Sequence, residues 1–155
     1  MQQLIKKLQE LNKTISTMES CLGGGLANEI TNIEGASEVY KFSAITYSNE
    51  FKIKMGVSKE IIEKYSVYSI ETADEMSLKI SKYTNSNYGV GITGKLNRID
   101  PANPHGENNI VFISIYDNDN EKFYHDEIRV NKPSRKENKK IIIERVKEML
   151  QTIVK

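Results

Sequence analysis

At 155 residues, 38% hydrophobic and 28% charged, the sequence is sized for one domain with its own core and is too short for two. A formal charge of +1 gives no bulk attraction to nucleic acid or to an anionic membrane. No apolar run approaches the roughly eighteen residues a bilayer span needs, and the amphipathic N-terminus lacks the form of a secretory signal. One cysteine excludes an internal disulfide, and one cysteine with two isolated histidines offers no metal-ligand spacing. These features predict a cytoplasmic protein that uses no metal or cofactor and binds neither nucleic acid nor membrane.

From the N-terminus, Leu4, Ile5, Leu8 and Leu11 recur at helical spacing and predict an amphipathic helix ended by Asn12 and Lys13. Thr14 to Met18 predicts a short strand. Gly23, Gly24 and Gly25 then release the chain into a helix that ends near Gly35. Phe42 to Tyr47 predicts a second strand, which runs out into the polar sequence Thr46 to Lys52. Ser58 has the form of an N-cap for a helix to Tyr65, with Glu60 in its first turn. Ser69 or Thr72 can cap the next helix, whose Ala73, Met76, Ile80 and Tyr83 make an apolar stripe. Tyr88 to Thr93 predicts a buried strand, and the polar, proline-containing loop from Lys95 to Asn109 is long enough to suggest function. Ile110 to Tyr116 and Lys122 to Val130 form a hairpin about Asp117 to Glu121. Pro133 and Ser134 open a last helix with Ile142, Val146, Met149, Leu150 and Ile153 on one face. The order α-β-α-β-α-α-β-β-β-α, without repeat or linker, predicts a single domain over 1–155. Its fold class is α/β, a three-layer α/β/α sandwich with a mixed, mostly parallel sheet.

Chemistry concentrates around Ser20. It follows a predicted strand and precedes the glycines, so its hydroxyl is expected at the carboxyl edge of the sheet, where ligands collect in open α/β folds. Glycines let the chain turn tightly and leave amide N–H groups open to an anion, and a following helix adds partial positive charge. A phosphate and the oxyanion of acyl transfer suit such a turn equally, and a turn of this composition also connects strand to helix with no ligand at all. A serine that attacks a carbonyl needs a base. Lys52 can serve if desolvation or nearby positive charge draws its pKa toward neutrality; otherwise it is a solvated surface lysine. Cys21 reads as a small, buried, inert thiol, because nothing ties His105 or His125 to it. Tyr47, Ser48 and Asn49 read as strand-end and turn residues.

The segments ESCLGGGLANEIT, GASEVY, AITYSNEFKIKMGVS and GVGITG, taken in order, resemble the C-terminal domain of the competence/damage-inducible CinA proteins. A basic residue opening the last helix extends the resemblance to nearly the whole chain, and the joint presence of ESC-x-GG and YSNE-x-K makes it specific. Members of that family occurring alone are nicotinamide mononucleotide deamidases, in which a serine/lysine pair hydrolyses the carboxamide to nicotinic acid mononucleotide and ammonia. The resemblance thus implies a pyridine mononucleotide as the small-molecule partner, Ser20 as nucleophile and Lys52 as its base. It further implies oxyanion binding by amides around Cys21, Gly23 and Gly24, a pocket lined by Tyr47, Ser48 and Asn49, a substrate contact from Thr93, and a phosphate contact from Arg135. A homo-oligomer, with a dimer favoured, is implied as well. Glu19 matches the family pattern without a role that the residues reveal. Two departures stand out. Leu22 occupies the place of a hydroxyl residue, where its bulk is expected to face a polar substrate, and Gly94 to Glu107 replaces a glycine-rich loop. These departures keep two other readings open: a catalytically silent relative that binds a nucleotide or a partner, and a serine/lysine amidase for another small amide.

Overall fold

Hydrophobic spacing and hydroxyl caps set the elements of the computed structural model, which describes residues 1–155. Helix α1 spans Gln2–Glu10, strand β1 Ile15–Glu19 and helix α2 Gly25–Thr31. A single 3-10 turn at Ala36–Glu38 leads into β2 at Tyr40–Ile45. Three helices follow, α3 Asn49–Lys54, α4 Lys59–Tyr65 and α5 Ile70–Thr84. The chain closes with β3 Tyr88–Gly94, β4 Ile110–Asp117, β5 Lys122–Arg129 and α6 Arg135–Ile153. Ser48, Ser58, Ser69 and Ser134 each accept a hydrogen bond from an amide in the first turn of the helix they precede.

The five strands lie in the order β2-β1-β3-β4-β5. β1 pairs parallel with both β2 and β3, whereas β3–β4 and β4–β5 pair antiparallel. Four strands therefore point one way and β4 alone opposes them, a mixed sheet of the expected kind. One face carries the larger core, with Ile15, Val90, Ile92, Val111, Ile113 and Ile115 packed under Leu4, Leu8, Leu26, Ile30, Ile142 and Leu150 of α1, α2 and α6. On the other face Met18 and Ala44 meet Val57, Met76 and Ile80. There α5 lies almost against the strand backbone. A Cβ added at Gly89 would stand 2.1 Å from the Ser77 carbonyl oxygen, and one at Gly91 2.3 Å from that of Ala73.

Two expectations are corrected. The sequence after Ile45 is not only strand end and turn: Ser48 takes the Phe51 amide at 3.3 Å and starts α3. The apolar stripe of α5 ends at Ile80, since Tyr83 is 69% exposed and lies against Phe42 with ring centroids 5.5 Å apart.

The strand order fixes where a ligand can sit. The connection from β1 leaves through α2 toward β2, whereas β3, on the other side of β1, leaves in the opposite direction toward β4. A crevice opens beyond the carboxyl ends of β1 and β3, at the point where the connections diverge.

Candidate active site

Ser20 is the first residue past β1 and stays in the ladder through its amide, which donates to the Ile92 carbonyl at 3.1 Å. The turn after it is shaped by Gly23 and Gly24 at φ +60° and +91°, conformations that suit glycine far better than other residues. Glu19 holds this turn from beneath. Its buried carboxylate accepts the amides of Gly24 at 3.1 Å, Leu26 at 3.2 Å and Ala27 at 2.8 Å, satisfying the start of α2 that Gly24 has no side chain to cap. Burial pushes the Glu19 pKa up, while those three amides and the charge of Lys139 pull it down.

Lys52 approaches from α3. It is 1% exposed, and its ammonium nitrogen donates to Ser20 Oγ at 3.1 Å and to the Thr46 carbonyl at 2.7 Å. The Thr46 amide in turn donates to the Glu19 carbonyl at 2.8 Å, so one backbone unit ties Lys52 to the strand that presents Ser20. Desolvation lowers the Lys52 pKa to about 8, against smaller opposing effects from Cys21 and Asp100. A serine hydroxyl hydrogen-bonded to a desolvated amine is an arrangement chemically able to act as a nucleophile with its base.

Ser20 opens onto a cavity of about 570 Å³. Of the residues expected around a substrate, Cys21, Tyr47, Ser48, Asn49 and Arg135 line it, Arg135 as the first residue of α6. Gly23, Gly24 and Thr93 do not. The Gly23 amide donates to the Ser20 carbonyl at 3.0 Å and the Gly24 amide to Glu19, so both shape the turn and neither is available to an oxyanion. Neither the Cys21 nor the Leu22 amide donates to another backbone carbonyl, and of these two residues only Cys21 lines the cavity. Thr93 is fully buried and donates to the Val67 carbonyl at 2.9 Å, which makes it a strut behind the wall formed by Gly94 and Lys95.

Leu22 also departs from expectation. Its side chain is 1% exposed and belongs to the larger core, so it adds no bulk to the cavity. Cys21 is buried and its thiol is pushed up to about 12 by desolvation, in keeping with an inert group. His105 lies in the loop after β3, where its carbonyl accepts Lys95. His125 pairs with Asp74 at 2.7 Å, and neither ring lines the cavity. No three His, Cys, Asp or Glu side chains converge on a point that would hold a metal ion, and no helix is long and apolar enough to cross a membrane.

The loop after β3 supplies residues that the sequence did not single out one by one: Leu96, Arg98, Ile99, Asp100 and Asn103 line the cavity together with Tyr68 from the turn before α5. Loop length and the departure of Gly94 to Glu107 from the family's glycine-rich loop are the signals that point to this segment, though not to these side chains.

A model of the CinA C-terminal domain family matches residues 1–154. A CinA-like protein of Flavobacterium psychrophilum is 38% identical over 111 residues, which cover 71% of this chain and 26% of that protein. This chain spans about a quarter of the length of the curated relatives it matches. Among solved structures, the competence/damage inducible protein CihA from Agrobacterium tumefaciens is 28% identical with a TM-score of 0.88, covering 99% of this chain and 92% of that one. A CinA superfamily protein from Klebsiella pneumoniae, at 19% identity and a TM-score of 0.86, covers 99% and 94% and shares the fold.

Proposed function

This chain belongs to the CinA C-terminal domain family, and from that premise we propose that it is an amidohydrolase that removes the carboxamide nitrogen of nicotinamide mononucleotide. The observation that carries the reading is the 3.1 Å contact between a desolvated Lys52 amine and the hydroxyl of Ser20, which lines the cavity. In the proposed mechanism neutral Lys52 accepts the Ser20 proton as Oγ attacks the amide carbon. The charge that develops on the carbonyl oxygen would fall to the Cys21 amide, the unpaired donor of the turn whose residue lines the cavity. Lys52 passes its proton to the departing nitrogen, leaving an ester on Ser20 and free ammonia. Water then attacks the ester as Lys52 takes its proton and returns it to the departing Ser20 Oγ, so nicotinic acid mononucleotide leaves and the free serine and neutral amine are restored. Arg135 would take the phosphate through its guanidinium fork.

The test is ammonia release from nicotinamide mononucleotide by the purified chain, with product identified by mass. Ser20→Ala and Lys52→Ala proteins that stay folded are expected to lose at least about a thousandfold in kcat/KM, as removal of a nucleophile or its base does elsewhere. Turnover undiminished in either variant removes the pair from the mechanism. A second reading, a serine/lysine amidase for another small amide, draws on the loop residues Arg98 and Asp100 in the cavity wall. Ammonia release from a panel of amides, with none from the mononucleotide, would replace the first reading by the second. A homodimer belongs to the same proposal. Ile45, Tyr47 and Phe51, around the start of α3, are each more than half exposed, and light scattering at twice the chain mass is the expected result.

A further inference from the structure

We propose that Asp100 makes this cavity selective for a substrate whose ring carries positive charge, an N-substituted pyridinium amide, over a neutral ring of the same shape. The inference deepens the deamidase reading and rests on it for the identity of the ligand.

Four charged side chains line the cavity: Lys95, Arg98, Arg135 and Asp100. The cations suit a phosphate, yet alone they would repel a pyridinium, so a ligand bearing both charges needs a negative group in the wall. Asp100 is the carboxylate placed there. Its Oδ2 accepts the Tyr68 hydroxyl at 2.5 Å and the Asn103 side-chain amide at 3.0 Å, and its Oδ1 accepts the Ala102 backbone amide at 3.0 Å. All three donors are neutral, so the charge is oriented without being cancelled. They hold the carboxyl below its ordinary pKa, Tyr68 first and Asn103 next. The Tyr68 phenol, pushed upward by burial and then by Asp100, keeps its proton and keeps donating.

The same network reaches the reacting groups. Asn103 accepts from the Asn49 side-chain amide at 3.0 Å, which joins the loop to α3 and hence to Lys52. Lys95, one of the three cations that share the cavity wall with Asp100, is engaged elsewhere. Its ammonium donates to the His105 carbonyl at 2.8 Å and to Asn108 at 3.3 Å, and it lies 5.0 Å from the Tyr68 ring centroid. The plainer account is that Asp100 only ties down its own loop through a turn. Asparagine separates the two, because its one amide oxygen can still accept the Ala102 amide that makes the turn, while the charge is removed.

The experiment compares binding of nicotinamide mononucleotide and its dihydro form by calorimetry, in the Ser20→Ala protein so that no turnover intervenes. The two ligands share phosphate, ribose and carboxamide and differ in ring charge. The pyridinium form is expected to bind at least about tenfold tighter, and adding Asp100→Asn is expected to remove about tenfold of that ratio. Tyr68→Phe, which keeps the charge and loosens its hold, is expected to lower the ratio by less. A ratio unchanged by Asp100→Asn, or, should that protein not fold, unchanged by Tyr68→Phe, overturns the inference. Equal losses for both ligands overturn it too and leave Asp100 as a loop anchor. Ammonia release by the native protein is scored separately. Charge selectivity without turnover sinks the deamidase reading alone, and turnover without charge selectivity sinks this one alone.

Discussion

Lys52 carries two opposing demands at the scale of a single residue. Its burial lowers the amine pKa to about 8 and so supplies a base near neutrality, and the same burial penalises the folded state whenever the amine is charged. For activity, kcat/KM is expected to rise about tenfold per pH unit below about 8 and to level off above it. A flat profile between pH 6 and 9 would exclude Lys52 as the base. For stability, the unfolded lysine titrates near 10.5 and the folded one near 8, so between those values the unfolded chain binds more protons and stability rises with pH. Relative to Lys52→Met, which has no such proton, the native protein is expected to gain about 3 kcal/mol over that window, read from paired denaturant melts at pH 7.5 and 10.5. Ser20, Lys52 and Arg135 were legible because their identities recur in a motif. Where their neighbours point was not. Leu22 faces the core and Thr93 bonds Val67, and both orientations depend on backbone torsions and packing that no spacing rule encodes.

Elements bring these residues together, and two contacts between elements bear most of that task. Glu19, at the end of β1, satisfies three amides at the start of α2 and thereby keeps the Ser20 turn in shape. Glu19→Ala leaves those donors buried without acceptors and is expected to cost about 3 kcal/mol in urea unfolding. A loss below about 1 kcal/mol would mean that water replaces the carboxylate. On the opposite face, Gly91→Ala would drive a methyl group to 2.3 Å from the Ala73 carbonyl oxygen. It is expected to destabilise by at least about 2 kcal/mol as α5 lifts from the sheet. The helices with clear periodicity and the β4–β5 hairpin were readable in advance. α3 was not: at six residues it is too short to show a repeat, and its start rests on the Ser48 cap alone. The role of Glu19 was hidden for a related reason, since a carboxylate ending a strand gives no sequence signal of which amides will surround it.

Across the whole molecule, the charge that matters is local. The sum over the chain is +1, yet Lys95, Arg98 and Arg135 line one cavity, with Lys139 near the Glu19 carboxylate behind it. Composition alone concealed this, because the order β2-β1-β3-β4-β5 decides which loops meet, and that order follows from long-range pairing. The layered α/β class could be read from alternating elements; the meeting of the β1 turn with the loop after β3 could not. A local positive field has a measurable signature. Between about 0.02 M and 0.5 M salt the screening length falls from roughly 20 Å to roughly 4 Å, which weakens capture of a phosphate at the cavity mouth far more than it affects the enclosed contact between Lys52 and Ser20. KM for the mononucleotide is therefore expected to rise several-fold over that range with kcat nearly constant. Arg135→Gln is expected to raise KM at low salt and to flatten the dependence, while the pH limb set by Lys52 stays where it was. A KM indifferent to salt would mean that shape and hydrogen bonding hold the nucleotide. A fall in kcat with KM unmoved would give Arg135 a part in the chemical step and take the phosphate from it.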